Sequence, residues 1–249
     1  MRKLRTLLAP LVALALASCG GGSGEEKGAL KGEPIAAVAP PAGKQWIEVV
    51  SKTADGGYLV GNPDAKIKLL EFASLTCHVC ADFSTQSAEE LHEKYINTGK
   101  VAYEFRNFVR DELDLVAARI ARCGADDAVM PLSEQFFVFQ PTMFENLKAV
   151  ENDAALNAKI AGLKGADRSF AVAEAAGIID FFAQRGVSRD QAKACLSDQK
   201  EMDKLAKLTS EYGKNYSISG TPTFYLNGNK IDVTAWPAVK GKLQEAGAR

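Results

Sequence analysis

The chain is 249 residues long, a length that admits one domain or two. Hydrophobic residues make up 47% and charged residues 24%, a balance that excludes a disordered chain, a collagen-like repeat and a multi-span membrane protein. Net charge is −1, and −4 once Arg2, Lys3 and Arg5 leave with residues 1–18, so nothing electrostatic favours nucleic acid.

Arg2, Lys3 and Arg5 precede an apolar run from Leu7 to Ala17, interrupted by Pro10. The run is too short to span a bilayer as a helix and suits the core of a secretory signal over residues 1–18. It ends in Leu16-Ala17-Ser18-Cys19-Gly20, which resembles the lipobox of bacterial lipoproteins. The resemblance implies cleavage before Cys19, a lipid on that cysteine, and a periplasmic protein anchored to the inner or outer membrane. Gly20 is not the aspartate that holds enterobacterial lipoproteins at the inner membrane, and an ordinary secretory signal would also fit. Gly20–Gly43 contains seven glycines and three prolines in 24 residues, so 19–44 is expected to be a lipidated cysteine and a flexible linker. As a coil it would span about 25–30 Å.

Trp46–Val50 is predicted as a strand, turned at Asp55-Gly56-Gly57 into Tyr58–Val60. After Asn62-Pro63-Asp64, Lys66–Ala73 is predicted as a central strand, with Leu70 and Phe72 on one face and Ile67, Leu69 and Ala73 on the other. Glu71 shares the face of Ile67 and Leu69, where an acid is costly unless paired or used. A helix is expected from Cys77 to Asn97, with Phe83, Leu91 and Tyr95 near one face and Gly99 past its end. Val101–Val109 alternates as a second core strand, and the βαβ unit implies a right-handed parallel crossover.

Residues 112–208 read as helices, with Leu113, Val116, Ile120 and Cys123 at helical spacing and a capping box over Ser188–Gln191. Thr223–Leu226, the Asn227-Gly228 turn and Lys230–Val233 form a predicted hairpin, followed by a helix from Pro237 to Ala246.

Cys77-His78-Val79-Cys80 follows the central strand and opens a helix. Two cysteines three apart in a first helical turn can form a disulfide, and the helix N-terminus favours a thiolate. Cys77, expected to be exposed at the helix tip, is the candidate attacking thiol and Cys80 the resolving one. His78, when protonated, would add positive charge beside the thiolate. A structural disulfide is the bland alternative. Zinc would need ligands beyond Cys77, Cys80 and a histidine, and His92 lies over three helical turns away. Haem attachment is excluded because Ala81 follows the second cysteine.

The order of these motifs, closing with Ser219-Gly220-Thr221-Pro222-Thr223-Phe224 before the hairpin, resembles the DsbA family of exported thiol–disulfide oxidoreductases. The resemblance covers about residues 45–249. It implies an α/β chain with a thioredoxin-like fold and an inserted all-helical subdomain: 45–111 and 209–249 as the two parts of the thioredoxin-like domain, 112–208 as the insertion. It also implies a cis Pro222 facing the sulfurs, Thr221 and Val79 as contacts for a substrate chain, and Glu71 as a buried acid relaying the proton of Cys80. The pair between the cysteines departs from the family, whose commonest pairs put proline first and histidine second. Cys123 and Cys195 are expected to pair, since exported proteins keep disulfides and some alphaproteobacterial relatives carry a second one; two separate buried thiols are the alternative.

The expected function is disulfide formation in exported proteins, with reduction or isomerisation by the same fold and copper or zinc delivery by the thiols as alternatives. No cofactor or metal is required beyond the redox-active Cys77–Cys80 disulfide. Expected partners are reduced or misoxidised exported proteins, a membrane redox partner that resets the disulfide, and the bilayer through Cys19. A monomer is expected, since the linker is too short for the dimerisation domain of the isomerases.

Overall fold

The computed structural model describes residues 32–249; the expected signal peptide, Cys19 and the linker as far as residue 31 lie outside the described residues. Residues 32–43 are not the free coil expected of the linker. The backbone N–H groups of Gly32 and Ile35 donate to Glu245 and Gly247, and that of Val38 donates to Thr98. The segment is therefore a strap against the C-terminus of the chain. Low apolar periodicity does not prevent docking when backbone groups find partners.

Trp46–Glu48, expected within a strand, forms a 3-10 turn. Trp46 is buried with its indole N–H donated to Val38 O, and Gln45 and Glu48 bond reciprocally, so side-chain pairing overrides the extended preference. Among the described residues six strands follow: β1 (Val50–Lys52), β2 (Tyr58–Gly61), β3 (Ile67–Ala73), β4 (Val101–Asn107), β5 (Thr223–Leu226) and β6 (Asn229–Ile231). They form one mixed sheet in the order β1-β2-β4-β3-β5-β6. The β3–β4 pair is parallel, with Leu69 opposite Tyr103 and Glu71 opposite Phe105; β5 runs antiparallel to β3, with Phe224 opposite Glu71. Asn227 and Gly228 both have positive φ, as a two-residue hairpin turn requires.

The helices are α1 (His78–Leu91), α2 (Glu112–Ala121), α3 (Val129–Asn152), α4 (Ala154–Ala161), α5 (Gly165–Ala175), α6 (Ile178–Ala183), α7 (Arg189–Ser197), α8 (Gln199–Asn215) and α9 (Trp236–Glu245). Beyond α1 the chain widens into a π turn over His92–Ile96 rather than continuing as a regular helix to Asn97. Phe83 of α1 packs on Phe224 and Trp236, over the sheet face that carries Ile67, Leu69 and Glu71. On the opposite face Phe72 meets Tyr212 and Tyr216, and Arg106 is buried beneath them with its guanidinium bonded to Glu104, Asp55 and Tyr216.

Helices α2 to α7 form the insertion, whose centre includes Phe136, Phe139, Phe181 and Phe182. The expected join at 208/209 falls inside α8, which runs unbroken to Asn215 and lays Tyr212 and Tyr216 on the sheet. At the start of α7 only half the capping box forms: Ser188 accepts from Gln191 N–H, while the Gln191 side chain donates to Cys123 O.

Candidate active site

The carboxyl end of β3 turns into α1 through Ser74-Leu75-Thr76-Cys77. The Ser74 hydroxyl accepts from Thr76 N–H and Ser74 O accepts from Cys77 N–H, which closes the turn. The insertion fastens it from outside. Asp114 of α2 accepts Leu75 N–H at 2.8 Å, and Gln140 of α3 donates to Leu75 O at 2.8 Å and Cys77 O at 3.2 Å. Cys77 is the N-cap of α1, so its sulfur sits at the positive end of the helix.

Contrary to the exposed thiol expected at the helix tip, Cys77 is only 4% exposed; Cys80 is wholly buried. The Thr221–Pro222 peptide is cis and lies against Cys77, whose Sγ is 3.2 Å from Thr221 O. Burial by itself would raise the pKa of Cys77. The hydrogen bond from the Cys80 thiol, with contributions from the N–H groups of Cys80 and Val79, outweighs desolvation and holds the pKa down at about 4. Cys80 moves the other way, because burial and its bond to Cys77 both favour its neutral form. Both cysteines are thiols in this structure.

Glu71, 2% exposed, lies beneath them. Burial pushes its carboxyl up to about 8, against the lowering effect of the hydrogen bond donated by the Tyr103 hydroxyl to Oε2. Its Oε1 and the Thr221 hydroxyl are buried without a hydrogen-bond partner among the described residues. Asp114 is pushed up to about 6, again by burial. Such displaced acids fit proton transfer near neutral pH.

Cys77, Cys80, Glu71, Thr221 and Pro222 thus stand together. His78 is exposed on the first turn of α1, and Val79 is half-buried beside it. Cys123 and Cys195 are bonded to each other, with Cα atoms 6.0 Å apart, and join the end of α2 to α7 within the insertion. Sequence reasoning missed Tyr103, Asp114 and Gln140. Gln140 carried a signal: it lies on the apolar stripe of α3 between Phe136, Phe137 and Met143, where a polar side chain needs a partner.

A family model described as Thioredoxin matches residues 53–244. The chain belongs to the thioredoxin family. A Rickettsia bellii protein named as a protein-disulfide oxidoreductase is 29% identical over 219 residues, covering 84% of this chain and 75% of its own. The Rickettsia conorii counterpart is 29% identical over 183 residues, 73% of this chain and 57% of its own. Among solved structures, a protein-disulfide isomerase from Novosphingobium aromaticivorans is 34% identical with a TM-score of 0.69, covering 77% of this chain and 99% of that one. Alpha-DsbA1 of Wolbachia pipientis shares the fold at 23% identity and a TM-score of 0.59, over 76% of this chain and 89% of that one. Within its family the chain is a protein-disulfide oxidoreductase.

Proposed function

We propose that this oxidoreductase is an oxidase, which donates the Cys77–Cys80 disulfide to thiols of exported proteins. The observation that carries the reading is the set of donors converging on Cys77 Sγ at the N-cap of α1: the Cys80 thiol and the N–H groups of Val79 and Cys80. Groups that stabilise the thiolate stabilise the reduced enzyme, and a stable reduced enzyme has an oxidising disulfide.

In the forward reaction a substrate thiolate attacks Cys77 Sγ and the Cys77–Cys80 bond breaks. Cys80 leaves with the electron pair and takes a proton from Glu71, which is largely protonated at neutral pH. A second substrate thiolate then attacks the substrate sulfur of the mixed disulfide and expels the Cys77 thiolate. The substrate loses two electrons and the enzyme gains them. The Thr221 backbone, Pro222 and Val79 would line the substrate chain, and protonated His78 would add positive charge near the thiolate. A membrane redox partner would take the two electrons away. The lipobox-like Leu16–Cys19 supports a periplasmic protein held at a membrane by a lipid on Cys19.

The reduction potential of the full chain against glutathione tests the direction. A value near the DsbA reference of about −120 mV is expected; one near the thioredoxin reference of about −270 mV would make it a reductase. Isomerisation is a second reading, favoured by the name of the Novosphingobium protein. Recovery of activity from a scrambled, fully oxidised substrate would decide for it. Fatty-acid labelling that persists in Cys19→Ala would overturn the anchor.

A further inference from the structure

A buried acid that protonates Cys80 must regain its proton from solvent in each turnover, yet Glu71 is enclosed. Its only hydrogen bond among the described residues is to Tyr103 of β4. Tyr103 in turn lines a cavity of about 40 Å³ shared with His92, Glu134 and Asp127. His92 Nε2 stands 2.8 Å from Glu134 Oε1, and both side chains are 23% exposed, so this pair touches bulk water while bordering the cavity. His92 opens the π turn that follows α1, a local widening often found at functional positions.

We propose that Tyr103 and the His92–Glu134 pair are the route by which Glu71 exchanges its proton with solvent. The inference rests on the relay role of Glu71 proposed above. A tyrosine hydroxyl both donates and accepts, so it can pass a proton to Glu71 Oε2 while taking another from the cavity side, and it stays neutral throughout. The cavity that Tyr103 and the pair both line has room for a water molecule. The balance is one proton per event: Glu71 gives its proton to the Cys80 thiolate, Tyr103 gives one to Glu71, the cavity replaces that one, and the surface pair is refilled from solvent. The reverse sequence removes the proton when Cys80 becomes the attacking sulfur. The charged and titratable groups acting on Glu71 are Tyr103 from β4, Cys77 at the active-site turn and Glu134 from α3, with Cys80 of α1 coupled to it. Those at His92 are Glu134 and, across the cavity, Asp127. Tyr103 and His92 are positioning residues, since they act through Glu71 and do not touch the sulfurs.

The test follows the resolving step in the full chain. Reduced protein is mixed with glutathione disulfide, quenched in acid at intervals, and the Cys77–glutathione mixed disulfide is followed by mass as Cys80 displaces it. Glu71→Gln should slow the displacement by about 100-fold. Tyr103→Phe and His92→Gln should each slow it by about tenfold, with an altered pH profile and an enlarged solvent deuterium effect. The ultraviolet titration of the Cys77 thiolate should be unchanged in His92→Gln, and added imidazole should restore that variant's rate. His92 is partly exposed, so this variant keeps the test open if Tyr103→Phe folds poorly. A slow Glu71→Gln with both other variants at the wild-type rate overturns the route and leaves the relay standing. A wild-type rate in Glu71→Gln overturns the relay, and the route with it.

Discussion

The hydrogen bond from Cys80 is the largest influence holding Cys77 at about 4, so Cys80→Ala should have a measurable effect on a cysteine it leaves in place. A hydrogen bond to a charged group contributes about 1.5–3 kcal/mol, and one pKa unit corresponds to about 1.4 kcal/mol. Removing the donor should therefore raise Cys77 by about one to two units, while Cys80→Ser, which keeps a donor, should stay near the wild-type position. The consequence for stability follows from the sign of the shift. Because the folded pKa lies below the ordinary value of 9.0, the stabilisation of the reduced protein is complete above that value and is lost as pH falls through about 4. At neutral pH three of those units are in force, or about 4 kcal/mol favouring the reduced form, and Cys80→Ala should forfeit about 1.5–3 kcal/mol of it. The assay is the rate of Cys77 alkylation by iodoacetamide against pH, which reports the thiolate fraction directly. An inflection in Cys80→Ala that remains at about 4 would refute the reasoning and assign the thiolate to the helix start alone.

Other outcomes follow from the same contacts. In the oxidised protein, where these thiols do not titrate, urea stability should fall as pH rises from about 4.5 to about 8, by about 1.4 kcal/mol per unit, because folded Glu71 retains a proton the unfolded chain releases. Asp114 adds a loss of the same sign up to about 6, and Glu71→Gln should flatten the remainder; parallel profiles would contradict the assignment. Gln140→Ala leaves the carbonyls of Leu75 and Cys77 without their side-chain donor and should cost about 1–3 kcal/mol in equilibrium unfolding. Replacing Cys123 and Cys195 together by alanine should cost about 2–4 kcal/mol while leaving the alkylation rate of Cys77 unchanged.

Much of the fold was legible because its signals are local. Alternation over Ile67–Ala73 describes a strand buried on both faces, and Asn227-Gly228 supplies the two positive φ angles of a tight hairpin turn. What was not legible depends on partners distant in the chain. Glycine and proline content made residues 32–43 read as a free linker, yet Gly32 and Ile35 bond to residues more than 200 positions away. Trp46 leaves its extended preference because its indole reaches Val38, and the C-terminal half of α8 lies on the sheet because Phe72 offers an aromatic surface.

The candidate site divides along the same line. Sequence alone determined that two cysteines stand three apart at a strand-to-helix junction, with an acid six residues earlier on the same strand, since strand and helix periods set those positions locally. Only the tertiary structure decided that both cysteines are buried with Cys77 Sγ against the Thr221 carbonyl, that Asp114 and Gln140 fasten the loop from the insertion, and that Tyr103 connects the acid to a cavity beside His92. Acidity constants depend on burial and on partners within a few ångströms, and in a folded chain those partners come from residues remote in sequence.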